Sequence, residues 1–142
     1  MVAVRAHLDE SRLATPDVIA PLRHAVADYA REAGIQGKRL DDVRLAVSEA
    51  VTNVVRHAYR GEPGQVHLIA RTVENELWVL VADDGCGLGV PSPDPGLGWG
   101  LAFITDACDE FTLAERAGGG AEARMVFRLP ADPATATDSS GH

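Results

Sequence analysis

The sequence predicts an α/β two-layer sandwich, in which a mixed, mainly antiparallel sheet carries helices on one face. Two segments in the first half of the chain repeat apolar residues at helical spacing, which is typical of helices with one buried side. Two pairs of short strand-like segments follow, and turn-forming residues join the members of each pair. Elements with one apolar side bury that side against each other, which favours a layered domain.

Both helices have recognisable ends. The first helix is predicted from about Ala20 to Ala33, because Thr15 and Pro16 favour a helix start just before it. The second helix is predicted to begin with Asp41 as its cap and to end before Gly61. Its apolar stripe consists of Val43, Val47, Ala50, Val51, Val54 and Ala58.

The strands are predicted from alternation and from turn signals. Residues 1–8 alternate loosely and form a candidate edge strand. Residues 65–73 and 76–82 flank Glu74-Asn75, which is a hairpin signal. A short helix over residues 101–109 precedes two closing strands, 111–115 and 123–129.

Composition and charge exclude several classes of protein. Of 142 residues, 13 are Lys or Arg and 21 are Asp or Glu, without a basic cluster, so no nucleic-acid partner is expected. No apolar run reaches the roughly 18–20 residues that a membrane helix needs. The N-terminus lacks the pattern of a secretory signal, which predicts a cytoplasmic protein without a membrane partner. We expect one domain over residues 1–129 and a disordered tail over residues 130–142.

Two polar side chains on the second helix could carry chemistry. Glu49 and Asn53 are four residues apart, which places them on one face of the helix, one turn apart. A carboxylate and an amide oxygen placed in this way could hold a metal-bound phosphate and a reacting hydroxyl. A solvated helix face is the competing interpretation, because polar pairs at this spacing are common.

An acid and two glycines follow the apolar strand 76–82. Asp83 could accept a hydrogen bond from an exocyclic amine, while Gly85 and Gly87 let the backbone approach a flat ligand. The structural alternative is a tight turn, in which Asp-Gly is expected without any ligand.

A second glycine motif stands before the predicted short helix. Gly96, Gly98 and Gly100 precede a helix start, where free N–H groups suit an anion such as a polyphosphate. The alternative for this motif is a flexible loop.

The order of the three motifs resembles the N, G1 and G2 boxes of the GHKL ATPase superfamily, whose fold is the Bergerat-type ATP-binding fold. The motifs are Glu-x-x-x-Asn on a helix, Asp-x-Gly-x-Gly after two strands, and Gly-x-Gly-x-Gly at a helix start. The string over residues 46–59 is similar to the RsbW/SpoIIAB group of bacterial anti-sigma factor serine kinases. The resemblance extends from the first strand to about Leu129.

The resemblance implies an ATP- and Mg²⁺-dependent kinase that phosphorylates a serine of a STAS-domain anti-anti-sigma protein and sequesters a sigma factor. It implies that Glu49 is the general base and that Asn53 is the magnesium ligand. It implies that Asp83 recognises the adenine amino group and that Arg23 contacts a partner. Relatives often form homodimers. The glycines that match the base-contacting and phosphate-contacting turns are Gly85, Gly87, Gly96, Gly98 and Gly100.

Two other functions remain open at this stage. The first is a nucleotide-gated binding module without phosphoryl transfer. Two departures from the family pattern favour it: residues 88–95 contain no Lys or Arg, and residues 120–123 lack the threonine that commonly contacts adenine through water. The second is a stand-alone histidine-kinase-like catalytic domain, which is disfavoured because no phosphoacceptor-histidine helix pair precedes the motifs.

Overall fold

A five-stranded sheet with helices packed on one face makes up the computed structural model, which describes residues 7–59, 62–85 and 96–130, with the backbone alone for 96–101. Its strands are β1 Leu8–Leu13, β2 Gln65–Val73, β3 Glu76–Asp83, β4 Glu110–Glu115 and β5 Ala121–Arg128. Its α-helices are α1 Ile19–Glu32, α2 Lys38–Asn53 and α3 Gly96–Ala107. The strand order is β1-β2-β3-β5-β4, and each neighbouring pair is antiparallel.

Alternating burial along the strands separates a helix-facing side of the sheet from an open side. In β2, Val66, Leu68 and Ala70 are fully buried, whereas the intervening His67 and Ile69 are only half-buried. The buried residues form one core with the apolar stripes of the helices, and burying each Val or Leu contributes about 1.5–3 kcal/mol. The predicted two-layer sandwich with a mainly antiparallel sheet is therefore confirmed.

The second helix begins earlier than predicted. It starts at Lys38, after Gly37, whose φ of +63° is a conformation that glycine adopts readily. Lys38 and Arg39 both pair with Asp42 across the first turn, at 3.2 and 3.0 Å. Asp41 therefore lies inside the first turn and does not cap the helix. A short π-helical segment, Val54–Ala58, continues the helix beyond Asn53.

The first described strand lies at Leu8–Leu13 and shares only Leu8 with the strand predicted over residues 1–8, of which residues 1–6 lie outside the described residues. The register of this edge strand is set by its partner, since Leu8 lies opposite Ala70 and Leu13 opposite Gln65. The partner strand, and not the loose alternation near the N-terminus, therefore determines which residues pair. The described residues exclude 1–6 and 131–142. The second of these ranges includes most of the predicted tail.

The hairpin between β2 and β3 forms around Glu74 and Asn75 as predicted. Val73 pairs with Glu76, and Glu74 takes up the turn with a φ of +54°. The third helix differs from expectation, because it begins at Gly96 and includes the glycine motif in its first turns. Over the described stretches of the chain, the helices are too short or too polar to cross a bilayer.

Candidate functional site

The predicted Glu-x-x-x-Asn pair lies at the C-terminal end of α2. Glu49 and Asn53 are both half-buried, and within the described residues neither side chain has a hydrogen bond or an ion pair. Asn53 is the last residue before the π-helical segment, and such segments are frequent at functional sites. The carboxylate and the amide oxygen are thus available to a ligand.

Asp83 is the one charged or polar residue that is buried among the described residues, at 6% exposure. Its Oδ1 accepts hydrogen bonds from the backbone N–H groups of Gly85, at 2.9 Å, and Ala121, at 3.3 Å. Burial raises the pKa of its carboxyl above the ordinary value, and the two N–H donors oppose that shift. Within the described part of the chain Oδ2 has no partner, so one oxygen of a buried, fixed carboxyl can accept a further hydrogen bond.

Two glycines allow backbone segments to close around Asp83. A Cβ on Gly85 would lie 2.0 Å from the carbonyl oxygen of Ala58, at the end of the π-helical segment. A Cβ on Gly120 would lie 1.9 Å from the Asp83 carbonyl oxygen, and Gly120 has a φ of +94°. Both Cβ positions lie against main-chain atoms, which cannot move away by a change of side-chain rotamer. The contact at Gly85 joins the Asp83 turn to the helical stretch that carries Glu49 and Asn53.

Asp84, the next residue, is held by side chains that the sequence prediction did not include. Its carboxylate lies 2.7 Å from His67 Nε2 and 2.7 Å from Arg116 Nη1, and its backbone N–H donates to the Tyr59 hydroxyl at 2.9 Å. The hydrogen bond from His67 is the main cause that lowers the pKa of the Asp84 carboxyl. Burial raises the pKa of Tyr59, whose protonated hydroxyl donates to the Gln65 carbonyl. We call Tyr59, His67, Asp84 and Arg116 the Asp84 cluster.

Part of the Asp84 cluster had a signal in the sequence. The hairpin at Glu74-Asn75 sets a register in which His67 lies opposite Ala82, two residues before Asp84, and this offset leaves the His67 ring within reach of the Asp84 carboxylate. Arg116 had no such signal, because it reaches the cluster from the β4–β5 connection, whose position depends on the packing of the whole sheet.

The glycines predicted to contact phosphate are placed differently from those predicted to lie beneath adenine. Gly96, Gly98 and Gly100 lie in the first turns of α3, which packs against α2. The first N–H groups of a helix have no partner within it, so this end of α3 remains suited to an anion. Gly87 and Cys86 lie outside the described residues.

Arg23 lies on α1 and is half-buried. Its Nη1 donates to Ser48 Oγ at 3.4 Å, which ties α1 to α2 immediately before Glu49. The described contacts of Arg23 therefore include neither Asp83 nor Asn53.

A magnesium site on Asn53 fits the chemistry of the residues present. Within the described residues, no group of three or more His, Cys, Asp or Glu side chains could hold a metal ion without further ligands. Mg²⁺ commonly takes one or two protein oxygens and completes its coordination with water and substrate phosphates. The unengaged amide oxygen of Asn53 meets that requirement.

Comparison with protein families matches residues 13–127 to the family described as histidine kinase-like ATPase domain. The chain belongs to this family. The resemblance to the GHKL superfamily and to RsbW is thereby confirmed, since curated proteins named serine-protein kinase RsbW match as well.

Three similar proteins illustrate the extent of the likeness. RsbW of Bacillus thuringiensis (strain Al Hakam) and RsbW of Bacillus anthracis are each 35% identical over 72 residues, which are 51% of this chain and 45% of each relative. The match thus spans less than half the length of these relatives. A crystal structure of the RsbU and RsbW domains of Rv1364c from Mycobacterium tuberculosis has a TM-score of 0.70 and 24% identity, covering 88% of this chain and 32% of that one. This structure shows the same fold.

We expect Gly120→Ala to destabilise the protein by about 2–4 kcal/mol, because the new Cβ collides with the Asp83 carbonyl and the residue must keep a positive φ. Gly118→Ala, in the same turn, is the matched control: nothing lies within 4 Å of its Cβ position. The control should change stability by no more than about 0.5 kcal/mol. Urea unfolding of both variants measures the difference, and equal midpoints would contradict the close approach at Gly120.

Proposed function

We propose that the chain is an ATP-dependent anti-sigma factor with protein-serine kinase activity, acting in the cytoplasm on a STAS-domain anti-anti-sigma protein. The observation that carries the proposal is Asp83, a buried carboxyl with one oxygen fixed by backbone donors and the other without a partner in the described residues. The names of the relatives, serine-protein kinase RsbW, support phosphoryl transfer to serine. Release of a sigma factor and formation of a homodimer are parts of the same proposal.

Adenine recognition is assigned to Asp83. Its free Oδ2 would accept a hydrogen bond from the exocyclic amine, a group that guanine does not present at the same position. Gly85 and Gly87 would lie beneath the base, and at Gly85 the lack of a side chain lets the turn pass close to the Ala58 carbonyl. A fixed carboxyl needs little reorganisation to accept the amine, which favours selectivity for adenine.

The phosphates are assigned to α2 and to the start of α3. Asn53 would hold Mg²⁺, which when bound supplies positive charge that neutralises the phosphate oxygens. The N–H groups around Gly96, Gly98 and Gly100 would donate to phosphate oxygens at the positive end of the helix. These groups compensate for the lack of Lys and Arg over residues 88–95.

Glu49 is assigned as the general base. Its carboxylate lies one turn before Asn53 and would accept the proton of the attacking serine hydroxyl. Correct positioning and charge neutralisation contribute most of the rate in phosphoryl transfer, and a positioned base adds about 10²–10⁴-fold.

The alternative is a nucleotide-gated binding module without phosphoryl transfer. The same lack of basic residues over 88–95 favours this alternative, and so does the start of β5, where Ala121 offers a backbone N–H to Asp83 but no side-chain hydroxyl to adenine. The two functions differ in whether Glu49 matters to the measured reaction.

We expect Glu49→Gln to reduce phosphate incorporation into the STAS-domain serine by about 10²–10⁴-fold while ATP affinity stays near that of the wild type. Asn53→Ala should reduce both incorporation and affinity for Mg·ATP, because it removes the metal ligand. Asp41→Asn, an exposed acid-to-amide change on the same helix, is the control and should have no effect. The assay uses radiolabelled ATP with STAS-domain proteins encoded beside the gene. A wild type that binds ATP and sigma factor but labels no STAS protein would contradict the kinase proposal and leave the binding module.

Arg23 is proposed to contact the partner and not the nucleotide. Arg23→Glu should lose sigma-factor binding in a pull-down while ATP affinity is retained, because a reversed charge repels an acidic partner surface. Arg31→Glu, which reverses an exposed arginine farther along α1, is the control. Retained sigma binding by Arg23→Glu would remove Arg23 from the partner surface.

A further inference from the structure

The Asp84 cluster surrounds the main chain next to the adenine-selecting carboxyl. Arg116 Nη1 donates to the Asp84 carboxylate at 2.7 Å and also to the carbonyl oxygen of Asp83 at 3.2 Å. The Asp84 carboxylate also lies 2.7 Å from His67 Nε2, and a carboxylate can only accept, so the ring donates to it. Three elements, β2, β3 and the β4–β5 connection, therefore meet at one exposed carboxylate.

The other end of the β4–β5 connection, at Ala121, contacts the Asp83 side chain. The backbone N–H of Arg116 donates to the Gly120 carbonyl at 3.0 Å, and the neighbouring Ala121 donates its own N–H to Asp83 Oδ1 at 3.3 Å. Arg116 thus contacts the main chain of Asp83 through its guanidinium, and it contacts the segment that fixes the Asp83 carboxyl through its backbone.

We propose that Arg116 is a positioning residue for base selection, which acts through the Asp84 cluster to hold Asp83 Oδ2 where it accepts the adenine amine. The inference rests on the proposed nucleotide site and adds to it a determinant that lies outside the three sequence motifs. Burial raises the pKa of Asp83, so its surroundings disfavour the ionised form of the carboxyl. The positive guanidinium of Arg116 acts against that shift and lowers the pKa of the Asp83 carboxyl.

Arg116→Gln tests the proposal with two nucleotides. The first is ATP, and the second is purine riboside triphosphate, which has the same ribose and phosphates but no exocyclic amine. Calorimetry should show about tenfold weaker ATP binding by the variant, because the hydrogen bond to the amine is misplaced. Affinity for the amine-free analogue should stay within about twofold of the wild type.

Two further variants separate positioning from general structure. Arg116→Lys should restore the preference for ATP, since one nitrogen, Nη1, makes both contacts and an ammonium can do the same. Arg31→Gln removes an exposed arginine of similar kind that pairs with Asp28 on α1, and it should change neither affinity. If Arg116→Gln does not fold, Asp84→Asn removes the charge of the exposed carboxylate with its shape retained, and the same loss of preference is expected.

The measured affinities show whether Arg116 positions Asp83 or does not. Equal weakening of both nucleotides would assign Arg116 a general structural role, and unchanged ATP affinity would remove it from the site; both overturn the inference. A wild type that binds ATP and the analogue equally, or neither, overturns the adenine assignment itself and this inference with it. If Arg116→Gln keeps the wild-type preference for ATP over the amine-free analogue, the role of Arg116 is overturned and the adenine assignment stands.

Discussion

The approach of the Asp83 main chain to Gly120 is the contact on which the rest of the site depends. With a φ of +94° and no side chain, Gly120 allows β5 to begin against the carbonyl of Asp83. Ala121 can then donate its N–H to the Asp83 carboxyl, which would otherwise be buried with the Gly85 N–H as its one described donor. On the other side, Gly85 allows the same turn to meet Ala58, so α2 and the sheet converge at one buried acid.

Burying the Asp83 carboxylate at this point costs electrostatic free energy, and a buried acid kept despite that cost indicates a functional role. A carboxyl at 6% exposure with a raised pKa is less stable in its ionised form than one in water. An asparagine at this position would avoid that cost. Groups of this kind, buried and held by specific donors at the end of a central strand, are candidates for ligand recognition. Membership of the histidine kinase-like ATPase family gives the ligand class that Asp83 fits.

Features set by local chemistry were predictable from the sequence, and features set by tertiary pairing were not. The turn at Glu74-Asn75 and the apolar stripe of α2 depend on neighbours within a few residues, and both predictions were confirmed. The edge strand Leu8–Leu13 takes its register from β2, and its own pattern did not reveal it. Arg116 reaches Asp84 across 32 residues of chain, so no local pattern could include it. The roles of Glu49, Asn53 and Arg23, the single domain over 1–129 and the tail stay predictions.

The most direct measurement is the affinity of wild type and Asp83→Asn for ATP and GTP, determined by calorimetry. Asparagine keeps the shape and the acceptor for the Gly85 and Ala121 N–H groups, but it loses the charge and presents an amide NH₂ towards the adenine amine. The expected result is a loss of ~1.5–3 kcal/mol in ATP binding, roughly 10- to 150-fold, and weak binding of GTP by the wild type. Equal ATP affinity of the two proteins, or equal affinity of the wild type for ATP and GTP, would contradict adenine recognition by Asp83.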